Sequence, residues 1–257
     1  MAFKLLDAAT AIGAGRSIKP ALGVQIHNVD IVITSLAATK ISALTVNLQG
    51  SETNEDAATG VITTPTLAIG STAERFSNVL FYYRIDNTNY NKAAVAAGST
   101  FTAAHVIGDG ASALWGCIDI YINAAGTMVT KVPLTPQIYT TAALAHAAAD
   151  AAKLTQYTSD LCYVGRILIN SDTTTWTANT DDMTAASDLT TATFLSAIPS
   201  FYDLAIHALS AADITAQRSA FHVVSKSSHY IRAFISALTG TGQITVKYTP
   251  AYTGGLI

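Results

Sequence analysis

Apolar and polar positions alternate with a period of two over several short stretches. From Ile41 to Leu48, Leu44, Val46 and Leu48 fall on one face and Thr45 and Asn47 on the other. Cys117–Ile122 groups Ile118, Ile120 and Ile122, and Gln243–Tyr248 sets Ile244, Val246 and Tyr248 against Gln243, Thr245 and Lys247. Alternation of β-branched and aromatic residues is the pattern of strands with one buried face. Val24–Leu36 is strand-like too, but its apolar phase changes near Asn28, which predicts a bulge or two short strands.

Turn residues punctuate these runs. Asn123–Gly126 predicts a hairpin linking Cys117–Ile122 to Thr127–Val132, with Gly126 supplying a positive φ. Asp86–Asn89 joins Val79–Ile85 to Tyr90–Ala93, and Thr239–Gly242 joins Tyr230–Ala237 to Gln243–Tyr248 in a final hairpin. Thr140–Leu154 is rich in alanine, follows Pro133 and Pro136 and carries Lys153 near its end, so it reads as a helix. Ser210–Gln217 is a weaker helical stretch.

The order of these elements predicts a mostly β chain in two modules, one nested in the other. Residues 75–185 form the inserted β-rich module with its helix near 140–154. The flanks, 1–70 and 190–257, each hold strands that are incomplete alone and together close a β-sandwich. Insertions are tolerated at exposed loops, which makes this layout common. Thr59–Ser71 and Asp172–Thr193 read as linking loops without a period.

Composition adds a functional constraint. Only 12% of residues are charged and 50% are hydrophobic, against about 25% charged in an average globular protein. The mean hydropathy is +0.34. The apolar runs fall short of the roughly 20 residues that span a bilayer, so no membrane segment is expected. A surface this poor in charge is covered by partners in an assembly. The net charge of −3, with basic residues scattered singly, argues against nucleic-acid binding, which needs clustered Lys and Arg. Asp7 interrupts the first apolar stretch, so the N-terminus is not read as a signal peptide.

The opening KLLDAATAIGAG with the later LTVNLQGSE resembles the start of jelly-roll-like β-sandwich domains in tailed-bacteriophage virion proteins, and the closing HYIRAFISALTGTGQITVKY resembles their end. The middle, with TTPTLAIGSTAERFSN, FYYRIDNTNYNKAA, INAAGTMVTKV and YVGRILINSDTTTWTANTDDMTA, is similar to another recurrent phage segment. The resemblance rests on texture and element order. It implies a jelly-roll-like sandwich and a structural role in the virion: capsid decoration, cement or head fibre, with the major capsid protein or neighbouring virion subunits as partners. A tail, collar-fibre or baseplate component with a carbohydrate-binding role is the alternative. The expected localisation is the particle surface, after assembly in the host cytoplasm, and a homo-oligomer is expected, with a trimer favoured.

Candidate chemistry is sparse. Of the six histidines, His27, His105, His146, His207, His222 and His229, none pair at i and i+4, and neither H-E-x-x-H nor C-x-x-C occurs. His222 and His229 bracket a turn and can approach across a hairpin. Cys117 and Cys162 sit in apolar strands that can be neighbours, and buried thiols behave as small hydrophobes. Asp181, Asp182 and Asp188 lie in a Thr-rich stretch where a Ca²⁺ site is conceivable, but the spacing is not that of an EF-hand and a solvated loop is the simpler reading. His105–Gly110 reads as a turn, because a phosphate cradle needs Gly-Lys-Ser/Thr. No G-x-S-x-G elbow occurs. The three glutamates, Glu52, Glu55 and Glu74, leave a small pool for a glycosidase pair. Phe81, Tyr82, Tyr83 and Tyr90 cluster; Tyr82 and Trp176 are the rings that would stack on sugars. No residue is assigned a catalytic, cofactor-binding or metal-binding role, and a non-enzymatic protein is expected.

Overall fold

A computed structural model describes residues 3–15, 17, 19, 26–34, 40–51, 58–156, 160–184, 189–224 and 230–251. The first flank supplies strands β1 (Phe3–Ala9), β2 (Gly13–Ala14), β3 (Ile26–Thr34) and β4 (Ala43–Ser51). The middle of the chain runs through β5 (Gly60–Val61), β6 (Leu67–Ile69), β7 (Phe76–Asn78), β8 (Phe81–Ile85) and β9 (Thr88–Lys92). Next come β10 (Val106–Ile107), β11 (Trp115–Ile122) and β12 (Met128–Lys131), then helix α1 (Ala142–Gln156). β13 (Cys162–Ser171), β14 (Trp176–Thr177) and β15 (Leu189–Ser196) follow. The last flank holds β16 (Tyr202–Ala208), α2 (Ala211–Ala216), β17 (Arg218–Val224), β18 (Tyr230–Thr239) and β19 (Gln243–Ala251). The chain is mostly β, and it divides into two compact units, Met1–Ala57 with Ser200–Ile257, and Ala58–Pro199.

The discontinuous unit is a sandwich of two antiparallel sheets, ordered β1-β19-β3-β17 and β16-β4-β18-β2. Counting the strands of this unit alone from one to eight, the orders are 1-8-3-6 and 5-4-7-2, the double Greek key of a jelly roll. Its core is filled from both sheets: Val29, Ile31, Ile33, Ile244, Val246 and Tyr248 from one, Leu44, Val46, Leu48, Ile231 and Ile235 from the other. Burying each of these side chains contributes about 1.5–3 kcal/mol relative to leaving it exposed.

Two features of this unit differ from the sequence expectation. β3 is one strand in unbroken register with β19 and β17, without the bulge expected near Asn28. The apolar phase only seemed to change because His27, a polar residue, takes an inward position and is 1% exposed. The last two strands are not a hairpin. β18 and β19 lie in different sheets, and the turn at Gly240, whose φ is +98°, carries the chain across the sandwich.

Along β4 and β18, part of the far face of this sheet is also withdrawn from water. Asn47, Gln49, Arg232 and Phe234 are buried there. Arg232 Nε donates to Gln49 Oε1 at 2.9 Å, Gln49 Nε2 donates to Asp203 Oδ1 at 2.8 Å, and the guanidinium lies 4.1 Å over the Phe201 ring. Helix α2 follows from a capping box in which Ser210 and Asp213 satisfy each other's backbone N–H groups, and it stops at Gln217 in the left-handed region.

The continuous unit is built on the antiparallel sheet β12-β11-β13-β15. One face packs on the main core, where Ile118, Ile120, Ile122, Ile167 and Ile169 meet Leu67, Phe76, Phe81, Tyr83 and Trp176. The hairpin β8–β9 turns through Asp86 and Asn87, with φ of 47° and 63°, as a two-residue loop requires. The inserted unit is larger than the expected 75–185. The stretches read as loops, Thr59–Ser71 and Asp172–Thr193, hold β5, β6, β14 and most of β15. β15 pairs with β13 over seven positions; its Thr-rich sequence lacks the clean alternation that marks a half-buried strand because one of its faces is largely open.

Candidate functional site

A group of polar side chains in the inserted unit lies between α1 and the sheet. Alternation along β11 sends Ile118, Ile120 and Ile122 to the core and Cys117, Asp119 and Tyr121 to the helix side. On β13 a bulge at Val164, where Ile120 pairs with Gly165 but Tyr121 with Tyr163, resets the phase so that Arg166 faces the helix beside Asp119. Gly165 is required there, since a Cβ would lie 2.5 Å from the Leu195 carbonyl oxygen. The helix forms because alanine is the best helix former. Ala145, Ala149 and the Cys117 and Leu168 side chains pack together, so small residues let α1 sit close on the sheet.

Arg166 ties the two layers. Nε and Nη2 donate to Asp119 Oδ1 and Oδ2 at 2.6 and 3.1 Å, Nη2 donates to Asp150 Oδ1 at 2.8 Å, and Nη1 donates to His146 Nδ1 at 3.0 Å. A guanidinium only donates, so His146 accepts through Nδ1 and carries its proton on Nε2. The Arg166 and Asp119 side chains are 6% and 1% exposed, while Asp150 is 68% exposed. Burial alone would disfavour the guanidinium charge, but the Asp119 and Asp150 carboxylates outweigh it and hold the pKa above its ordinary value. Lys153 sits 3.3 Å over the Tyr163 ring.

This cluster ties the helix layer to the sheet. Cys117 Sγ lies 3.9 Å from His146 Nδ1, but that nitrogen is occupied by Arg166, and burial pushes the thiol up to about 12. The thiolate needed for nucleophilic attack is therefore not formed near neutrality. The signal for the cluster was present in the sequence: one charge of each sign, Asp119 and Arg166, stands inside an otherwise apolar strand, and His146 and Asp150 share a helix face.

The other candidates are dispersed. His27 Nδ1 lies 3.2 Å from the Tyr248 hydroxyl, and its Nε2 has no hydrogen-bond partner among the described residues. His105 pairs with Thr130 at 2.8 Å, and His207 meets Ser219 at 2.9 Å and stacks on Phe221. His222 is exposed beside Asn28 and Asp30 on a depression of 190 Å³. His229 lies outside the described residues. The strands that follow and precede it belong to different sheets, so the pairing across a hairpin expected for His222 and His229 has no ladder to support it. Among the described residues no group of three or more His, Cys, Asp or Glu side chains is placed to hold a metal.

Cys117 and Cys162 are on neighbouring strands, but Cys117 pairs with Leu168 and Cys162 with Ile122. They face opposite sides of the sheet, and both thiols are free and buried. Asp181 accepts from the Thr177 amide at 2.6 Å and Asp182 from the Thr184 amide at 2.6 Å, so both carboxylates cap local turns. Asp188, Glu52 and Glu55 lie outside the described residues. His105–Gly110, expected as a turn, instead starts with strand β10 at Val106 and Ile107; beyond it Asp109 accepts from the Ala111 and Ser112 amides. Trp176 is fully buried and Tyr82 is 9% exposed, which removes the two rings expected to stack on sugars; both pack where the sequence alternation alone left their depth undefined.

A jelly roll interrupted by a helix-backed β unit is the class of structure this chain presents. The sequence matches no protein-family model, and comparison with characterised proteins and with solved structures finds no match to either.

Proposed function

We propose that this chain is a non-enzymatic structural protein of a tailed-phage virion, a capsid decoration, cement or head-fibre protein on the particle surface, assembled in the host cytoplasm. One observation carries it. Large apolar side chains face outward, with Ile198 86%, Ile206 66%, Ile138 54% and Leu144 53% exposed, while the charged Arg84, Asp119, Arg166 and Arg232 are buried. Such a distribution favours contact with a partner surface over contact with water. The resemblance of the opening, middle and closing segments to phage virion proteins supplies the kind of partner: the major capsid protein or neighbouring subunits, with the chain itself a homo-oligomer, trimeric at a quasi-threefold site.

The mechanism is linkage. A lattice that binds only the folded protein stabilises it, and the protein stabilises the lattice by the same free energy. Immunogold labelling of gradient-purified particles with antibodies to this chain tests the proposal. Label on the head is expected. A chain abundant in the lysate yet missing from purified particles would overturn it.

A further inference from the structure

We infer that β15 is an edge through which two copies of this chain join, strand to strand, about a two-fold axis. The inference does not depend on the virion proposal. A free sheet edge presents unpaired backbone groups, and proteins protect such edges with charge, irregularity or brevity. The edges described here are protected in those ways. β1 carries Lys4 and Asp7 and two register breaks. β16 carries Asp203 and His207 and a break between Asp203 and Ala205. β17 carries Arg218 and His222, β9 carries Lys92, and β12 is four residues long and ends in Lys131. β15, Leu-Thr-Thr-Ala-Thr-Phe-Leu-Ser, has eight residues with no charge, proline or glycine. Its one irregularity, at Thr190, lies at its start.

The ladder fixes which groups are free. The Ser171 amide donates to the Leu114 carbonyl, and the Ala197 amide to that of Val164. Alternation in an antiparallel ladder then directs the backbone groups of Arg166, Leu168 and Asn170 to β15, and those of Thr191, Thr193 and Leu195 to β13. The N–H and C=O groups of Ala192, Phe194 and Ser196 point away from the sheet. No backbone partner for them is present among the described residues.

The strand is complementary to itself. Antiparallel pairing centred on Phe194 sets Ala192 opposite Ser196 of the second copy and Phe194 opposite its own equivalent, so all three outward residues exchange hydrogen bonds in both directions. The same register places Thr193 opposite Leu195 of the second copy, twice, on the helix side, where Leu195 is 42% exposed and Thr193 is exposed. Like charges never meet, because the strand has none. A foreign strand would be chosen by charges or pockets beside the edge, and β15 offers no charge for that choice. The dyad is perpendicular to the sheet, so the product is a continuous sheet with both α1 helices on one face. The contact makes a dimer of otherwise single chains and joins any higher oligomer in pairs.

Sedimentation velocity and residue-resolved hydrogen exchange on the full chain test this, with two variants. Ala192→Pro removes an outward N–H that the fold does not use, a place where a strand tolerates proline. The double variant Thr193→Lys, Leu195→Lys keeps every ladder bond and sets lysine against lysine across the dyad. Wild type is expected to show a concentration-dependent doubling of mass and slow exchange of the Ala192, Phe194 and Ser196 amides. Both variants are expected to lose the doubling and the protection while unfolding as cooperatively as wild type. Should Ala192→Pro not fold, the lysine variant decides. A wild type whose mass does not double up to its highest soluble concentration would overturn the inference, as would doubling and protection that survive in the lysine variant. Neither result bears on the presence of the chain in particles, which is read separately.

Discussion

Asp119 and Arg166 face each other across β11 and β13 and share two hydrogen bonds of 2.6 and 3.1 Å while almost wholly withdrawn from water. Removing one partner strands the other's charge. Asp119→Ala is expected to cost about 3–5 kcal/mol of stability, measured by chemical denaturation. The double replacement Asp119→Leu, Arg166→Met recovers much of that loss, because the attraction within a buried pair roughly offsets its desolvation. A double variant no more stable than Asp119→Ala would show that Arg166 matters chiefly through His146 and Asp150.

Burial lowers the pKa of His27 and of His105 below the ordinary value of 6.5. The unfolded chain therefore binds more protons than the folded one between the lowered values and 6.5. Stability is expected to be level above pH 6.5 and to fall as pH drops below it, by at most about 1.4 kcal/mol per pH unit for each histidine. Denaturation midpoints across pH for wild type and His27→Leu check this, since the variant should lose its share of the slope.

Both cysteines are 0% exposed and burial pushes each thiol up to about 12. The native protein is expected to react negligibly with an aromatic disulfide reagent at neutral pH, and to release two equivalents of thiol, one for each free cysteine, once denatured. Prompt reaction in the folded state would contradict the burial of Cys117 under α1 or of Cys162 in the main core of the inserted unit.

The turn between β18 and β19 depends on Gly240. Its φ is +98°, and a Cβ there would run into the Lys40 carbonyl oxygen. Gly240→Ala is expected to cost about 1–3 kcal/mol, read as a lowered denaturation midpoint with little change in spectrum.

Tyr202 of β16 pairs with Gly50 of β4, so the strands that precede and follow the inserted residues are neighbours in the jelly roll. Residues 58–199 expressed alone are expected to unfold cooperatively, and the flanks joined by a short glycine-rich linker to keep the jelly-roll core. A fragment without a cooperative transition would contradict this division.

Much of the fold was legible where one face of a strand is buried and the other wet. Ile244, Val246 and Tyr248 against Thr245 and Lys247 is such a case, and so is the alanine run of α1. Legibility failed where polar side chains turn inward. His27 disguised the phase of β3, and Gln49 and Arg232 line a buried face that alternation would assign to solvent. It failed again at β15, where Thr190, Thr191 and Thr193 leave no apolar stripe on the helix side. The polar cluster went unrecognised because its sequence mark, a lone charge inside each of two apolar strands, does not say that a bulge and a helix packing bring these charges together.

Arg84, Asp119, Arg166 and Arg232 spend their charges inside the protein, in a chain that has few to begin with. Surfaces depleted in this way meet through apolar area and backbone groups, whose attraction is not screened by ions and strengthens on modest warming. Ionic strength should therefore be a weak lever on this protein's associations and temperature a strong one, the reverse of what holds for proteins that recognise their partners by charge.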